Sequence, residues 1–556
     1  MRHSRHTVFG VETVILRKNH KNDMNNHKNK LFALLLLLML SLSSSAQYRN
    51  PIIYADVPDV SLVWHDGYYY MVSTTMHLMP GCPVMRSRDL KHWTTVSYVF
   101  DTLEAGQDRY NLRHGKTIYG QGQWASSIRY HDGQFWVWFT ANGEPYRGFL
   151  YTAKKAEGPW RLVARPPHFH DGSLFFDDDG RVYMFHGTGS LTELDPKTFD
   201  KKAGGIDTII FERDSDEQAL LEGSSAFKYQ GKYYLCMISM DWSIPGRLRR
   251  EVCYRADRIT GPYTKKIILE TPFETFGGVG QGCLVSAGPD GPWHAVIFQD
   301  RGGIGRVPCL MPVTWRDGWP MCGDAEGHIP NDTTLRHIHQ TGILGSDAFS
   351  GHRLSRYWQV NHIPDAGGIS LQKGWLRLAT TRVVPNIYLA PNTVTQRTEG
   401  PRSRATVRMD ISHMKEGDEA GLAVFNSVSG LLKVRRTAAG YTLMMTEENS
   451  IFQEPDHSIA GDSCLVMGMV SLPEALSRRS PAIVYLRADA DFTAGIDTAT
   501  FAYSLDNKTW HPIGGAHHML FDYTRMFMGS KFALFNYSTR QTGGHVAFDW
   551  FHYDTY

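Results

Sequence analysis

Residues 55–73 read ADVPDVSLVWHDGYYYMVS. An apolar run from Ser61 to His65 reaches Asp66–Gly67, and a second, aromatic-rich run follows. Gly at the turn between two such runs fits a β-hairpin needing positive φ. The pattern returns as SIRYHDGQFWVWFTA (127–141), SLFFDDDGRVYMFHG (173–187), AFKYQGKYYLCMIS (226–239) and LVSAGPDGPWHAVIFQD (284–300). The turn glycines Gly67, Gly133, Gly180, Gly231 and Gly291 are 66, 47, 51 and 60 residues apart. Further segments ending in an aromatic, SRDLKHW (87–93), AEGPW (156–160) and ITGPY (259–263), fit outer strands. The repeat predicts a five-bladed β-propeller of four-stranded sheets; a β-sandwich with unrelated hairpins is the competing fold.

Eight to ten residues before each turn glycine, where the first strand of each hairpin begins, stand Asp59, Trp124–Ala125, Asp171, Glu222 and Gln281. In a propeller the first strands surround a central channel. Three acids from different blades are therefore expected at one opening. Carboxylates facing each other across a cleft suit glycoside hydrolysis: one donates a proton, the other activates water. Like charge and burial keep one of them protonated near neutral pH. Trp124, Tyr54 and Tyr119 are candidates to stack on a sugar, and Gln281 and Arg306 to bond its hydroxyls. The chain has no H-E-x-x-H helix, nucleophile elbow, phosphate loop or dinucleotide fingerprint.

Composition agrees with a globular, non-nucleic-acid protein. The 556 residues are 42% hydrophobic and 21% charged, with a net charge of +2, too small to draw the chain to nucleic acid or an anionic membrane. Seven cysteines without a C-x-x-C pair make neither a disulfide framework nor a zinc ribbon. Near the N-terminus, NHKNKLFALLLLLMLSLSSSAQ (26–47) carries lysines, a short apolar run and small residues ending at Ala46. This is an export-signal pattern, too short to span a bilayer. Residues 1–46 are read as an N-terminal extension and signal peptide, implying a periplasmic or extracellular protein.

NPIIYADVPDVSLV, HFHDGSLFFDDDG and LLEGSSAFKYQGKYY together resemble glycoside hydrolase family 43 over roughly residues 48–335. TTMHLMPGCPVMRSRDLKHW and YGQGQWASSIRYHDG are similar to its α-L-arabinofuranosidase and β-xylosidase branch. The resemblance implies an inverting exo-enzyme releasing terminal L-arabinofuranose or D-xylose from plant hemicellulose such as arabinoxylan. It implies Asp59 as general base, Glu222 as general acid, and Asp171 as the residue that orients that acid and raises its pKa. Trp124, Gln281, Arg306 and His77 become substrate-binding candidates. Val60 replaces a Pro common in the family, and Gln281 stands where many members have a His that holds a central Ca²⁺ or water. No catalytic metal and no cofactor is expected; a structural Ca²⁺ built on the same acids is the accessory considered, and an ion held by Asp549 or Asp347 a further one. The partner is a polysaccharide or oligosaccharide. The alternative function is a non-catalytic carbohydrate-binding propeller.

From about Gly345 short alternating strands such as KFALFNYS and HVAFDWFHY predict a β-sandwich of jelly-roll type. This segment resembles the concanavalin-like domain appended to β-xylosidases. The expected division is 47–335 for the propeller and 345–556 for the sandwich.

Overall fold

The computed structural model describes residues 48–241, 248–454, 457–494 and 496–556. The expected signal segment lies outside them. Five four-stranded antiparallel sheets follow one another from Ser61 to Cys322. Their innermost strands are Ser61–His65, Gly122–His131, Ser173–Phe176, Leu220–Tyr229 and Gly282–Ser286. The fold is a five-bladed β-propeller followed by a concanavalin-like sandwich.

The hairpin turns form for the reason the sequence suggests. Asp66 and Gly67 have φ of 48° and 76°, Asp132 and Gly133 of 50° and 75°, Gln230 and Gly231 of 48° and 76°. Both central residues are left-handed, as a two-residue hairpin with right-handed twist requires. The fifth turn departs from the expectation. Its residue in the positive-φ region is Gly288 (101°), not Gly291, because the connection from Ser286 to Trp293 is longer.

The ring closes through the segment before blade 1. Ile52 N–H donates to Pro308 O and Val57 N–H to Arg306 O, both at 2.9 Å. The buried Asn50 side chain donates to Leu310 O and accepts from Leu310 N–H. Blade 5 is thereby stitched to the start of the ring, which protects the edges of both.

Strands from Gln359 to Thr555 build two large antiparallel sheets packed over an apolar core. The two units share a sheet: Leu78–Met79 of the propeller pairs with Gln359–Asn361 at one edge of the sandwich. Met76, Leu112 and Tyr119 pack with Phe425, Ala533 and Phe535 across the same junction. Sandwich loops are therefore held at fixed positions against the propeller. Asp549 and Asp347, considered for an ion, are engaged otherwise. Asp549 pairs with Arg408, and Asp347 accepts from Trp358 Nε1 and Phe349 N–H.

Candidate active site

The starts of all five innermost strands meet on the propeller axis. They enclose a cavity of about 20 Å³ lined by Asp59, Ser126, Asp171, Ser225 and Gln281, one from each blade, room for about one water. Backbone conformation aims these residues inward. Asp59, Asp171 and Gln281 have φ of 52°, 46° and 69°. Non-glycine residues in this region cost on the order of 1 kcal/mol each and persist where surroundings over-determine them. The surroundings are visible at Asp59, where Ser73 Oγ and Thr74 N–H both bond to Pro58 O. In blades 2 and 4 a β-bulge does the aiming, at Gln123/Ser126 and Glu222/Ser225.

Asp59 is buried and accepts a 2.9 Å bond from Arg306 Nη1; its other oxygen has no partner among the described residues. Burial pushes its pKa up, while Arg306 and the nearby Thr74 hydroxyl pull the other way without cancelling it. Arg306 is itself fixed from behind. Its N–H donates to Asp56, whose carboxylate also meets Lys531 Nζ and Gly529 N–H from the sandwich, each at 3.0 Å. Burial pushes Asp56 up, but Lys531 and Arg306 more than offset it and hold it below the ordinary carboxylate value.

Asp171 accepts from Gly223 N–H at 3.0 Å. Position 223 must be Gly: a Cβ there would lie 2.6 Å from Gln281 Cγ, and its φ is 73°. Burial raises Asp171 to about 7, with His170 opposing and Glu222 and Asp59 adding to the rise. Glu222, half-buried, accepts a 3.2 Å bond from His170 Nε2, which also lies 3.8 Å from Asp171 Oδ2. The bond to Glu222 and the charge of Asp171 raise His170 to about 9, against burial. His170, Asp171 and Glu222 place one ligand atom each within 4.8 Å of one another.

The expected substrate-binding residues divide. Gln281 lines the axial cavity, its N–H held by Glu251. Glu251 is wholly buried, and burial raises it to about 8. Trp124 and Arg306 come together: the guanidinium lies 5.8 Å from the Trp124 ring centre and 4.9 Å from that of Phe527. Arg306, expected to bond sugar hydroxyls, holds Asp59 through Nη1, with Nε and Nη2 without partners among the described residues. Tyr54 and Tyr119 are buried, so neither offers a ring face to a sugar. His77 does not reach the mouth. It is 0% exposed, packed between Tyr119 and His362 in the junction, and burial drives its pKa down to about 3. Unlike Asp59 and Gln281, it does not line the axial cavity.

Three contributors were missed from sequence. His170 stands inside the quoted HFHDG motif, so its neighbour Asp171 was the available signal. Phe527 and Lys531 come from the sandwich, and nothing local announces them. Phe527 packs edge-on against Trp124 at 5.1 Å and supplies one wall of the site.

Residues 48–320 match the sequence profile "Glycosyl hydrolases family 43", and residues 346–554 match "Beta xylosidase C-terminal Concanavalin A-like domain". The chain belongs to glycoside hydrolase family 43. This family 43 protein is 27% identical to a β-xylosidase of Formosa agariphila over 91% of its own length and 90% of the relative's. It is 28% identical to a non-reducing end α-L-arabinofuranosidase of Bacteroides ovatus, over 72% and 78% of the two chains. A solved bifunctional GH43-CE protein of Bacteroides eggerthii superposes with a TM-score of 0.81 at 38% identity, covering 92% of this chain and 64% of that one. As a family 43 member, the protein is a glycosidase.

His170 gives a pH prediction. As a cation it lowers Asp171, so His170→Gln should let Asp171 rise further. The acidic limb of the kcat/KM pH profile should then move up by about one unit, the lower end of what an adjacent opposite charge does. An unmoved limb would show that His170 does not act on Asp171.

Proposed function

We propose that this glycosidase is an inverting exo-enzyme that removes terminal L-arabinofuranose or D-xylose from plant hemicellulose. The observation that carries this reading is the convergence of Asp59, Asp171 and Glu222 at the axial mouth, where the charge of Glu222 reaches both Asp59 and Asp171. Asp59 is the base. Arg306 favours its anion, and its unpartnered oxygen is available to take a proton from water. Glu222 is the acid. In that role Glu222 takes up the proton His170 Nε2 donates to it, leaving His170 neutral, and passes it to the glycosidic oxygen, which its partial exposure lets approach. Asp171 is the third carboxylate, holding the acid's strand through Gly223 N–H and setting the local charge.

Inversion requires acid and base about 6.5–9.5 Å apart, leaving room for water beneath the sugar. The names of the two relatives support a terminal pentose. The signal pattern at 26–47 supports export, and no helix among the described residues is long and apolar enough to cross a membrane.

Proton NMR of the first-released sugar tests the proposal. With aryl β-xyloside and aryl α-arabinofuranoside side by side, the initial product should carry the anomeric configuration opposite to that of the substrate. Retention would overturn the mechanism, and no release from either would overturn the substrate class.

A further inference from the structure

The sandwich sheet that faces the propeller changes character along its strands. Ala423, Phe425, Leu431, Ala533 and Phe535 pack in the apolar junction. Farther along, the same face is ionic. Lys433 Nζ bonds Glu419 at 2.7 Å and also Glu448. Arg435 Nε bonds Glu419 at 2.7 Å, and the Tyr537 hydroxyl donates to it at 2.8 Å. Glu419, Lys433 and Glu448 are 3%, 1% and 1% exposed.

Burying such charges costs more than ion pairing usually returns, and apolar replacements are often at least as stable. Stability alone therefore gives no reason for this cluster. One bond is also missing: Glu448 Oε2 is buried without a partner among the described residues. Beside it a cavity of about 410 Å³ opens, lined by the same groups and by Cys464, a size usual for small-ligand sites. Four acidic and four basic side chains line it. Balanced charge gives no net pull on an ion. Fixed acceptors and guanidinium donors side by side suit a ligand whose every hydroxyl both donates and accepts.

We propose that this cavity is a second, non-catalytic site that binds a neutral pentose oligosaccharide, with Glu448 Oε2 accepting a sugar hydroxyl. The choice of pentoses rests on the function proposed above; the hydroxyl chemistry does not. The site would keep a substrate chain on the enzyme between cleavage events.

Cys464 reports on this cavity. It is exposed at the rim, whereas the other six cysteines are buried. Full-length protein carrying Glu222→Gln, which slows consumption of the probe, is labelled with a maleimide in the presence of xylotriose, arabinotriose or glycerol. At ten times its Kd, a binding trisaccharide should slow Cys464 labelling about tenfold, since the free fraction falls as 1/(1 + [L]/Kd). Glycerol should not. Glu448→Gln and Arg435→Ala should each remove the protection while leaving hydrolysis of aryl pentosides, measured in the chain with Glu222 intact, unchanged. Arg435, at the rim, keeps the test valid if the Glu448 variant fails to fold. Labelling unaffected by either trisaccharide, equal protection by glycerol, or protection that survives Arg435→Ala would overturn the inference. Protection without pentosidase activity would sink the catalytic reading alone; activity without protection would sink this one alone.

Discussion

Asp59→Asn is expected to lower kcat/KM by about a thousandfold to ten-thousandfold, to the same extent on aryl pentosides and on xylobiose. A base that activates water is needed whatever group leaves, so a better leaving group should not rescue the variant. The change is close to isosteric, and Asn can still accept from Arg306 Nη1, now bonded to Asp59 at 2.9 Å. Loss of activity should therefore come without loss of fold. The sign of the stability effect follows from linkage. Asp59 sits above its ordinary pKa because burial outweighs Arg306. A group raised on folding favours the folded state only below its unfolded pKa, about 4, and that contribution is lost as pH rises through the folded value. At pH 7.5 the Asp59 charge is thus a cost, and Asn removes it. Against this stands Arg306, left buried with only Asp56, which Lys531 shares, as a nearby counter-charge. The two oppose, so thermal melting at pH 7.5 should change little. A loss of activity under tenfold, or a fall in activity explained by unfolding, would remove Asp59 from the mechanism.

The sequence carried the propeller because each blade announces itself locally. A left-handed Asp-Gly or Gln-Gly pair between two apolar runs has few other uses, and Asp66–Gly67, Asp132–Gly133 and Gln230–Gly231 all adopt that conformation. The three acids were legible for the same reason, since each stands eight or nine residues before its turn glycine. What failed depends on packing between distant segments. Leu78–Met79 is a strand of two residues whose partners, Val360 and Asn361, lie in the other domain. No periodicity can register a pair that short. His77 sits two residues from that strand's end, so the junction that hid the strand also buries the histidine. Placing it at the mouth required knowing what covers its loop. Phe527 and Lys531 reach the site from the sandwich, and their neighbours in sequence carry no sign of Arg306 or Asp56. The ionic cluster at Lys433 was equally silent, because Glu419 and Lys433 alternate with apolar residues as solvent-facing strand residues do. Only the pairing of their strands shows that they are buried together.

Glu222→Gln should separate the acid from the base. On xylobiose, whose leaving hydroxyl is a poor departing anion, kcat/KM should fall by about a hundredfold to ten-thousandfold, the range of general acid catalysis. On a dinitrophenyl pentoside the loss should be smaller than about tenfold, because a stable phenolate leaves without a proton. The geometry favours a clean result. Gln keeps the side chain's length and can still accept from His170, which now bonds Glu222 at 3.2 Å. Glu222 is also partly exposed, so the substitution leaves no sealed cavity. Asp171 should respond in a defined direction. Glu222 is among the charges that raise it, so the variant should lower Asp171 from about 7 and widen the pH range over which that carboxylate is ionised. The acidic limb of the pH profile on the activated substrate should accordingly move down, opposite to the shift expected for His170→Gln. Opposite displacements from two neighbours touching one another would mean that Asp171 integrates their charges. Equal losses on both substrates would mean that Glu222 holds the sugar in place and does not protonate its bond.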